Sequence, residues 1–473
     1  MDEQTDVLVV GAGPTGLGAA WKMIQDGFED WLLCEAETSA GGLASSVTDE
    51  HGFTWDLGGH VQFSHYDYFD AVMDEVLGED GWLYHDRSSW VWLRGRFVPY
   101  PFQLNLRYLP AEEKWHCVRA LLRLSAAPPT ERPTNFGEWI LSTFGEGIAE
   151  VFLYPYNTKV WAHPPETMSW HWIGDRVAVV DVEKVLENIL LERDDVAWGP
   201  NNQFRFPKRG GTGAVWTSLA QRLSHQAEGQ IRFGARLVSL DTHARLARFS
   251  DGRSIGYRWL VSSIPLDALV KLSDLDHALG ERGSELCYSS THVVGVGLDG
   301  QPPDGLSDKC WMYFPEGDCP FYRVTVFSRY SPHNVPDATR QWSLMAEVSE
   351  SQYKSVSEDV VRDTIDGMLA TKLVSDRRHV HHTWHRRLER GYPTPTLDRD
   401  AILNDVLPEL ELRSVYSRGR FGAWKYEVSN QDHSFAQGVE VIERLLDGTP
   451  ERTLSQPEVV NLKRSAPARF SRR

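Results

Sequence analysis

The stretch Asp6-Val-Leu-Val-Val10, followed by Gly11-Ala-Gly-Pro-Thr-Gly-Leu-Gly-Ala-Ala20, decides the fold of this chain. An apolar strand runs into a glycine turn and then into a helix of small residues. In such a turn the glycines permit a tight bend, let backbone amides approach a pyrophosphate, and let the helix pack closely on the strand. The helix N-terminus then faces two phosphates, so the pattern predicts a dinucleotide pocket. The residues at its phosphate end are Gly11, Gly13, Thr15 and Gly16.

A second apolar strand, Trp31 to Cys34, ends at Glu35. Glu35 follows the glycine turn by about 20 residues, the separation at which an acidic side chain accepts hydrogen bonds from a ribose of the dinucleotide. Strand, turn, helix, strand and acid in this order make the prediction specific, whereas a glycine fingerprint alone is weak evidence. A carboxylate at this point disfavours a ribose 2′-phosphate.

Two later glycine-rich segments indicate whether the chain binds a flavin or a nicotinamide cofactor. Gly41-Gly42-Leu43 directly follows Glu35 and resembles the second glycine turn of FAD-binding oxidoreductases. Arg209-Gly-Gly-Thr-Gly213 resembles the third FAD segment of the same families. Each segment alone is better interpreted as an ordinary loop, but in this order the two favour FAD.

Composition limits the remaining function classes. The 473 residues are 41% hydrophobic and 24% charged, which is typical of a globular protein of two or three domains. The formal net charge of −17 argues against a nucleic-acid or anionic-membrane partner. No apolar run reaches the ~18 residues of a membrane span, and the first strand begins without a basic and apolar leader. Because the five cysteines are also scattered, we expect a cytoplasmic protein.

The alternation of helical and strand patterns predicts an α/β protein. We expect an FAD-binding, Rossmann-like domain of the GR2 type, a helical insertion, and an antiparallel β-sheet domain that covers the ligand. The FAD-binding domain is expected from residues 1–84, 208–268 and 412–447, the helical domain from 105–172, and the sheet domain from 85–104, 173–207 and 269–411. Residues 448–473 are expected to form a tail that is poorly ordered from Arg452 onward.

Short motifs along the chain resemble UDP-galactopyranose mutases, and the eukaryotic (fungal and protozoan) type is the closer match. The main motifs are Gly58 to Tyr66, Pro99 to Gln103, Tyr156 to Trp161, Phe204 to Pro207, Ser289 to Val293, Lys309 to Pro315, Gly391 to Thr396 and Asn430 to Phe435. The resemblance implies a flavin-dependent isomerase that interconverts UDP-galactopyranose and UDP-galactofuranose. In that family N5 of reduced FAD attacks the anomeric carbon, and UDP is the leaving group.

The resemblance also implies catalytic residues. His60 lies where the family has a mobile loop beneath the flavin, and Arg176 and Arg323 match the two arginines that bind the diphosphate. A planar guanidinium suits phosphate oxygens, and Arg323 stands in an apolar strand where an unpaired charge would be costly. The tyrosines that match hydroxyl donors to the same phosphates are Tyr313, Tyr330, Tyr392 and Tyr426.

Further positions match family residues that bind the substrate and the cofactors. Those for the uracil are Phe63, Tyr100, Phe102 and Gln103, and those for the sugar are Asn157, Trp161, Asn201 and Trp311. Those for FAD are Gly42, Leu43, Gly58, Gly59, His60, Gly419, Arg420, Asn430, Gln431 and Ser434, and Asn430 is also assigned to the substrate. NADPH is the implied reductant, with Arg87, Ser89, Tyr100 and Arg420 at the matching positions.

Several alternatives remain open at this point. A metal site is not expected, because His60 and His65 lack zinc spacing and the histidines between His379 and His385 fit alternation on a strand. Gln62 and His163 depart from the family pattern. The rival functions are an amine or protoporphyrinogen oxidase, a mutase for another nucleotide sugar, and a non-catalytic flavin or UDP-binding protein. A homo-oligomer is also open.

Overall fold

The computed structural model describes residues 3–174, 177–196 and 202–462. Within these ranges the strands are β1 Glu3–Val10, β2 Trp31–Cys34, β3 Ser46–Thr48, β4 Thr54–Asp56, β5 Trp82–Asp86, β6 Ser89–Leu93, β7 Arg96–Pro99, β8 Gln203–Pro207, β9 Ile231–Arg232, β10 Leu237–Asp241, β11 Leu246–Phe249, β12 Ser254–Ser262, β13 Tyr288–Asp299, β14 Trp311–Tyr313, β15 Arg323–Val326, β16 Gln341–Glu350, β17 Val380–Pro393 and β18 Val415–Ser417. The helices are α1 Pro14–Gln25, α2 Asp67–Leu77, α3 Ala111–Ala126, α4 Phe136–Ile148, α5 Tyr154–Trp161, α6 Val182–Leu190, α7 Gly213–Gln226, α8 Leu266–Leu272, α9 His277–Ser284, α10 Phe327–Tyr330, α11 Val360–Ala370, α12 Arg399–Leu412, α13 Gln431–Asp447, α14 Arg452–Ser455 and α15 Pro457–Leu462.

The first large sheet has the order β10-β11-β12-β1-β2-β9, with β18 beside β12. Its centre is parallel, since β1 pairs in parallel with both β12 and β2. Successive side chains of a strand point to opposite faces, so Val7 and Val9 pack with α1, α7 and α13, while Leu8 and Val10 pack with α8 and α12. Helices cover both faces, which explains the continuous apolar run of β1.

The second large sheet has the order β17-β13-β16-β15-β14-β6-β7 and is mostly antiparallel. The register of β15 and β16 places Arg323 directly opposite Glu347. Residues of β6 and β7 also share a core with α3, α4 and α5, so the helical insertion closes one end of this sheet. The predicted α/β class, with a helical insertion and an antiparallel sheet, is confirmed.

The helical insertion is formed by close backbone packing. A Cβ atom on Gly147 would lie 2.5 Å from Cys117 Cα, so α4 approaches α3 at a distance that only glycine allows. Gly145, at φ 70°, kinks α4, and a π-helical turn over Ala149–Leu153 leads into α5.

No helix in the described ranges combines the length and the apolar character needed to cross a membrane.

Two segments differ from the sequence-based expectation. The predicted boundary at 412 assigns α12 to the sheet domain, but Ile402 and Val406 of this helix pack in the core of the first sheet. The expectation of a poorly ordered chain from Arg452 is wrong for its first part, which forms α14 and α15. Thr453 Oγ1 donates to Glu440 and Val460 is buried, so tertiary contacts stabilise this polar segment.

Candidate functional site

A cavity of about 1240 Å³ is lined by both large sheets and by the helical insertion. The residues singled out from the sequence that lie on its wall are Gly11, Gly13, Thr15, Glu35, Gly42, Leu43, Gly58, Gly59, His60, Phe63, Arg87, Tyr100, Gln103, Asn157, Trp161, Trp311, Tyr313, Arg323, Tyr392, Arg420, Tyr426, Asn430, Gln431 and Ser434. Those behind the wall are Gly16, Ser89, Phe102, Tyr330 and Gly419. Arg176 and Asn201 lie outside the described residues.

Two residues expected to contact the substrate are part of the protein core instead. Phe102 is fully buried and packs on Phe152, with ring centroids 4.7 Å apart. Tyr330 is fully buried among aromatic rings, and its hydroxyl donates to the carbonyl of Cys310 at 3.5 Å. The chain leaves β15 at Val326 and turns into the short helix α10, which carries Tyr330 away from the cavity.

Two glycines behind the wall allow close approach. A Cβ atom on Gly16 would lie 1.8 Å from the carbonyl oxygen of Gly11, so the helix rests directly on the turn. A Cβ atom on Gly419 would lie 2.3 Å from Thr15 Oγ1. These residues shape the pocket from behind without lining it.

The dinucleotide end of the cavity is built from backbone. Gly13 is the N-cap of α1 and Asn430 is the N-cap of α13, and both residues line the cavity. The two helices touch through glycine, because a Cβ atom on Gly438 would lie 1.9 Å from the carbonyl of Thr15. A Cβ atom on Gly42 would lie 3.6 Å from Gly13 Cα, so the first two glycine turns adjoin. Two helix N-termini therefore face one cavity, an arrangement that suits a pyrophosphate.

Glu35 closes the dinucleotide end. Its Oε2 accepts from the backbone N–H of Ala12 at 2.6 Å, and its Oε1 accepts from that of Glu37 at 2.8 Å. These contacts fix the carboxylate at the end of β2, where each oxygen retains a lone pair for a ribose hydroxyl.

The third glycine-rich segment, Arg209 to Gly213, does not line the cavity. Gly213 N–H donates to Ser46 Oγ and Thr212 N–H donates to Asp56, so this segment supports the wall from behind.

The Gly58–His60 segment lines the cavity. Gly58 has φ +119°, a conformation that favours glycine, and the N–H of Gly59 donates to Glu347 Oε1 at 2.9 Å. Burial lowers the pKa of His60 to about 4, although the negative charge of Glu347 opposes the change. His60 is therefore neutral at pH 7, and its Nδ1 has no hydrogen-bond partner among the described residues.

Arg323 and Glu347 form a bidentate pair across β15 and β16. Arg323 Nε donates to Oε1 at 2.8 Å and Nη2 donates to Oε2 at 2.7 Å, while the hydroxyl of Tyr322 donates to Oε2 at 2.6 Å. Glu347 is 2% exposed and Arg323 is intermediate in exposure. Burial opposes the charge of Arg323, but Glu347 and nearby tyrosines outweigh it and hold the pKa of Arg323 well above its usual range. The pair fixes the guanidinium plane while Nη1 stays outside it.

Aromatic rings and two further arginines surround Arg323. Arg420 lies over Tyr392, 5.0 Å from the ring centroid, and its Nη1 donates to Ser429 Oγ at 2.8 Å. Arg87 lies 5.1 Å from the ring centroid of Trp311, and its Nε donates to Ser89 Oγ at 2.8 Å. Ser89 thus reaches the cavity only through Arg87. The wall combines guanidinium groups with tyrosine hydroxyls, a set that suits phosphate oxygens.

Gln103 also lines the cavity. Its Nε2 donates to the carbonyl of Ala178 at 2.8 Å, which fixes the amide orientation. Its buried Oε1 has no hydrogen-bond partner among the described residues. Tyr100 packs on Tyr313, with ring centroids 5.2 Å apart, and Phe63 also lines the cavity. An acceptor without a partner beside aromatic rings suits a planar polar ring.

Sequence reasoning missed Glu347, Tyr322 and Trp172, all of which line the cavity. The sequence did contain a signal for Glu347, because it is an acid inside the apolar run that forms β16 and thus requires a buried partner.

Gln62 and His163, which depart from the family pattern, do not line the cavity. Gln62 donates to Gln431 Oε1 at 2.9 Å, and His163 Nδ1 lies 2.9 Å from the carbonyl of Trp161.

Beside Phe63, three side chains bring potential metal-ligand atoms within 4.8 Å of one another: His65, Asp432 and His433. Asp432 Oδ2 accepts from the backbone N–H of His65 at 2.7 Å and lies 2.8 Å from the Nδ1 of the same residue. Burial would raise the pKa of Asp432, but the two histidines hold it below its usual range. The contacts between Asp432 and His65 hold the loop after β4 against the start of α13.

Comparison with known proteins gives four findings. The sequence profile of the flavin-containing amine oxidoreductases matches residues 14–416. A crystal structure of reduced UDP-galactopyranose mutase is similar with a TM-score of 0.93 and 47% identity, covering 97% of each chain. Putrescine oxidase bound to putrescine has a TM-score of 0.64 at 15% identity, covering 94% of this chain and 100% of that one. A fatty acid isomerase from P. acnes has a TM-score of 0.62 at 14% identity, covering 93% and 99%. The last two similarities show the fold alone.

Proposed function

The chain belongs to the flavin-containing amine oxidoreductase family, and we propose that it interconverts UDP-galactopyranose and UDP-galactofuranose. The 47% identity with a UDP-galactopyranose mutase over almost the whole chain supports this proposal. The observation that carries it is the position of Arg323. This arginine lies on the wall of the same cavity as two helix N-termini, together with Tyr313, Tyr392 and Tyr426. One cavity thus offers a dinucleotide site and a second site for phosphate oxygens.

The described residues fit FAD as the bound cofactor. The two glycine turns adjoin at the N-terminus of α1, the position at which such folds bind a pyrophosphate, and Glu35 holds a carboxylate at the end of β2, the position at which they bind a ribose. When bound and reduced, the flavin supplies a nucleophilic nitrogen for the anomeric carbon of the sugar. The buried neutral ring of His60 would offer a hydrogen-bonding nitrogen in the same cavity, because its Nδ1 has no partner among the described residues.

Arg323 and the tyrosine hydroxyls bind the leaving diphosphate in this proposal. Glu347 holds the guanidinium in one orientation, so little side-chain entropy is lost when phosphate binds. Arg176 is proposed as the second diphosphate arginine on the family resemblance. The ring of Trp161 packs edge-on against Tyr392 and Tyr426, and this aromatic wall excludes water that would hydrolyse the activated sugar.

Gln103, Phe63 and Tyr100 are proposed to recognise the uracil. The amide of Gln103 has a fixed donor and an Oε1 acceptor that no described residue contacts with a hydrogen bond, which complements the N3–H of the base. Asn157, Trp161, Asn201 and Trp311 are proposed to line the sugar. This assignment specifies a uridine nucleotide more strongly than a particular hexose.

NADPH is proposed as the reductant, as in the eukaryotic type of the family. Arg87, held by Ser89 beside Tyr100, and Arg420 lie on the cavity wall and can bind a 2′-phosphate. Anaerobic NADPH is expected to bleach the flavin absorbance faster than NADH, and Arg87→Ala is expected to remove that preference. The matched control is Arg329→Ala, since Arg329 donates to Ser307 outside the cavity. Equal bleaching by both nucleotides would contradict the assignment.

The proposed function is tested by measuring which substrates the protein converts. Dithionite-reduced protein is incubated anaerobically with UDP-galactofuranose, and UDP-galactopyranose is measured by chromatography; a parallel aerobic sample with amines is assayed for peroxide. Conversion without peroxide is the expected result. Peroxide formation from amines would favour the oxidase, and a protein that binds UDP but does not convert this substrate would favour another nucleotide sugar.

A further inference from the structure

A second cavity, of about 730 Å³, lies where α5 meets β16 and the segment 315–320. Within the described part of the chain it shares no lining residue with the large cavity. Its volume falls in the range of small-molecule pockets. The apolar residues of its wall are Tyr154, Pro155, Pro315, Pro320, Val348, Val356 and Val360.

Two lysines line this apolar cavity. Lys159 is 8% exposed, and its Nζ donates to the carbonyl of Glu316 at 2.6 Å and to Cys319 Sγ at 3.3 Å. Lys354 Nζ donates to the carbonyl and the hydroxyl of Ser349. Each of these acceptors is neutral, and among the described residues neither ammonium group has a carboxylate within ion-pair distance. A buried lysine such as Lys159 is uncommon without a counter-charge, and the half-buried Lys354 adds a second cation to the same cavity.

The acidic residues at the edge of the cavity have partners other than the two lysines. Glu316 binds Arg94 through both carboxylate oxygens, Glu150 lies 3.0 Å from His116, and Asp363 lies 3.5 Å from Arg362. Within the described residues, none of these carboxylates forms an ion pair with Lys159 or Lys354, although the chain as a whole has a net charge of −17.

The titration of the lysines agrees with this geometry. Burial lowers the pKa of Lys354 to about 8, and the positive charge of Lys159 adds to the decrease. Burial also lowers the pKa of Lys159. The attraction of Asp318 and Glu316 for Lys159, and of Glu350 for Lys354, opposes these decreases but does not offset burial.

We infer that this cavity binds an amphiphilic carboxylate, a molecule with an apolar body and one anionic head. The prolines and valines accept the body, and the ammonium groups of Lys159 and Lys354 bind the head through charge-assisted hydrogen bonds. A neutral ligand of the same shape would leave the two cations without a partner. The inference does not rest on the proposed function, since the site lies outside the large cavity.

Calorimetric titration of the full-length protein with octanoate tests the site, with octanol as the neutral analogue. We expect octanoate to bind, and octanol to bind at least about tenfold more weakly because it lacks the charge. Lys354→Met and Lys159→Met are each expected to weaken octanoate binding about tenfold or more. Lys372→Met is the matched control, because Lys372 is exposed and does not line this cavity. Lys354 is less buried than Lys159, so its variant remains informative if Lys159→Met fails to fold.

Proton linkage gives an independent readout. A bound carboxylate raises the pKa values of both lysines, so binding near pH 8 is expected to take up protons. Titrations in two buffers of different ionisation enthalpy measure this uptake. No octanoate binding, equal binding of octanol, or unchanged octanoate binding by Lys354→Met would each overturn the proposal, and so would the absence of proton uptake in the unmodified protein.

Discussion

The two ends of the large cavity are built in different ways. The dinucleotide end consists of backbone, in which glycine turns and the N-termini of α1 and α13 come together because small residues allow close approach. The other end consists of side chains from separate strands, and its centre is the pair of Arg323 and Glu347 across β15 and β16.

This difference in construction determines how each end of the cavity responds to a substitution. A backbone site depends on the absence of a Cβ atom, so a single methyl group displaces whole helices. A side-chain site depends on charge and hydrogen bonding, so its loss changes binding and chemistry while the fold remains. The two ends should therefore respond differently to substitution, with loss of folded protein at one and loss of turnover at the other.

Gly438→Ala is expected to have the largest effect. Its Cβ would lie 1.9 Å from the carbonyl of Thr15 and 2.8 Å from the N of Ala19, so α1 and α13 must separate. Little folded, flavin-bound protein is expected, measured by thermal unfolding and by flavin absorbance. Gly280→Ala is the matched helical control, because nothing lies within 4 Å of its Cβ position; it should stabilise by about 0.5–1 kcal/mol. An unchanged melting temperature in Gly438→Ala would contradict the backbone interpretation.

Arg323→Ala is expected to abolish most turnover while the flavin stays bound. Loss of a fixed charge that stabilises the leaving diphosphate costs about 10²–10³-fold in kcat. Steady-state kinetics with the reduced protein measure this loss, and flavin content measures the integrity of the other end. Arg329→Ala, outside the cavity, should behave like the unmodified protein. Near-normal kcat in Arg323→Ala would remove this residue from the diphosphate site.

Glu347→Gln is expected to have a smaller effect on turnover and a measurable effect on stability. The neutral amide keeps one acceptor for Arg323 and Tyr322 but leaves the guanidinium without its counter-charge. Complete loss of a buried partner costs about 3–5 kcal/mol, so the amide should cost less than that. Urea unfolding and kcat are the measurements, and Glu350→Gln on the same strand is the control, because Glu350 lies outside the cavity lining. A kcat equal to that of the unmodified protein would show that orientation of Arg323 does not matter.

Gln103→Leu tests uracil recognition by a side chain of the cavity wall. The leucine has a similar volume but lacks the amide, so KM for the UDP-sugar is expected to rise about tenfold while kcat changes little. Gln203→Leu is the control, since this half-buried glutamine lies outside the cavity. A change in kcat alone would mean that Gln103 acts on the sugar and not on the base.

His60 gives the smallest expected effect, which appears in the pH dependence of stability. Its pKa in the folded protein is about 4 because of burial, with Glu347 opposing the shift, whereas the unfolded value is about 6.5. Between these values the unfolded chain binds more protons, so stability rises with pH in this window and falls as pH decreases. His60→Gln should flatten this rise in urea unfolding, and His277→Gln, at an exposed position, should not. Identical slopes for His60→Gln and the unmodified protein would contradict a buried neutral His60.

Local sequence predicted the dinucleotide end well. Strand β1, the glycine turn, α1, β2 and Glu35 follow one another within 35 residues, so each step could be inferred from the one before it. The predicted sheet and helical insertion also depend on periodicity within single segments. By contrast, α14 and α15 carry no strong periodicity and are stabilised by Glu440 and Glu427, which are distant in sequence.

The side-chain end was predicted only in part. Arg323 was identified by resemblance, but Glu347 was missed because its role arises from the pairing of two strands whose register no local pattern specifies. Tyr330 was expected on the substrate, yet β15 ends four residues earlier and α10 turns the ring into the core. Positions created by long-range pairing or by an early strand end therefore required the structure.

The most direct measurement compares conversion of UDP-galactofuranose by dithionite-reduced and by oxidised protein under anaerobic conditions. Arg323→Ala and Arg329→Ala are measured in parallel at matched flavin content. We expect conversion by the reduced protein and by reduced Arg329→Ala, and almost none by the oxidised protein or by Arg323→Ala. Equal conversion in both redox states, or full activity in Arg323→Ala, would contradict a flavin-dependent mutase whose diphosphate site is centred on this arginine.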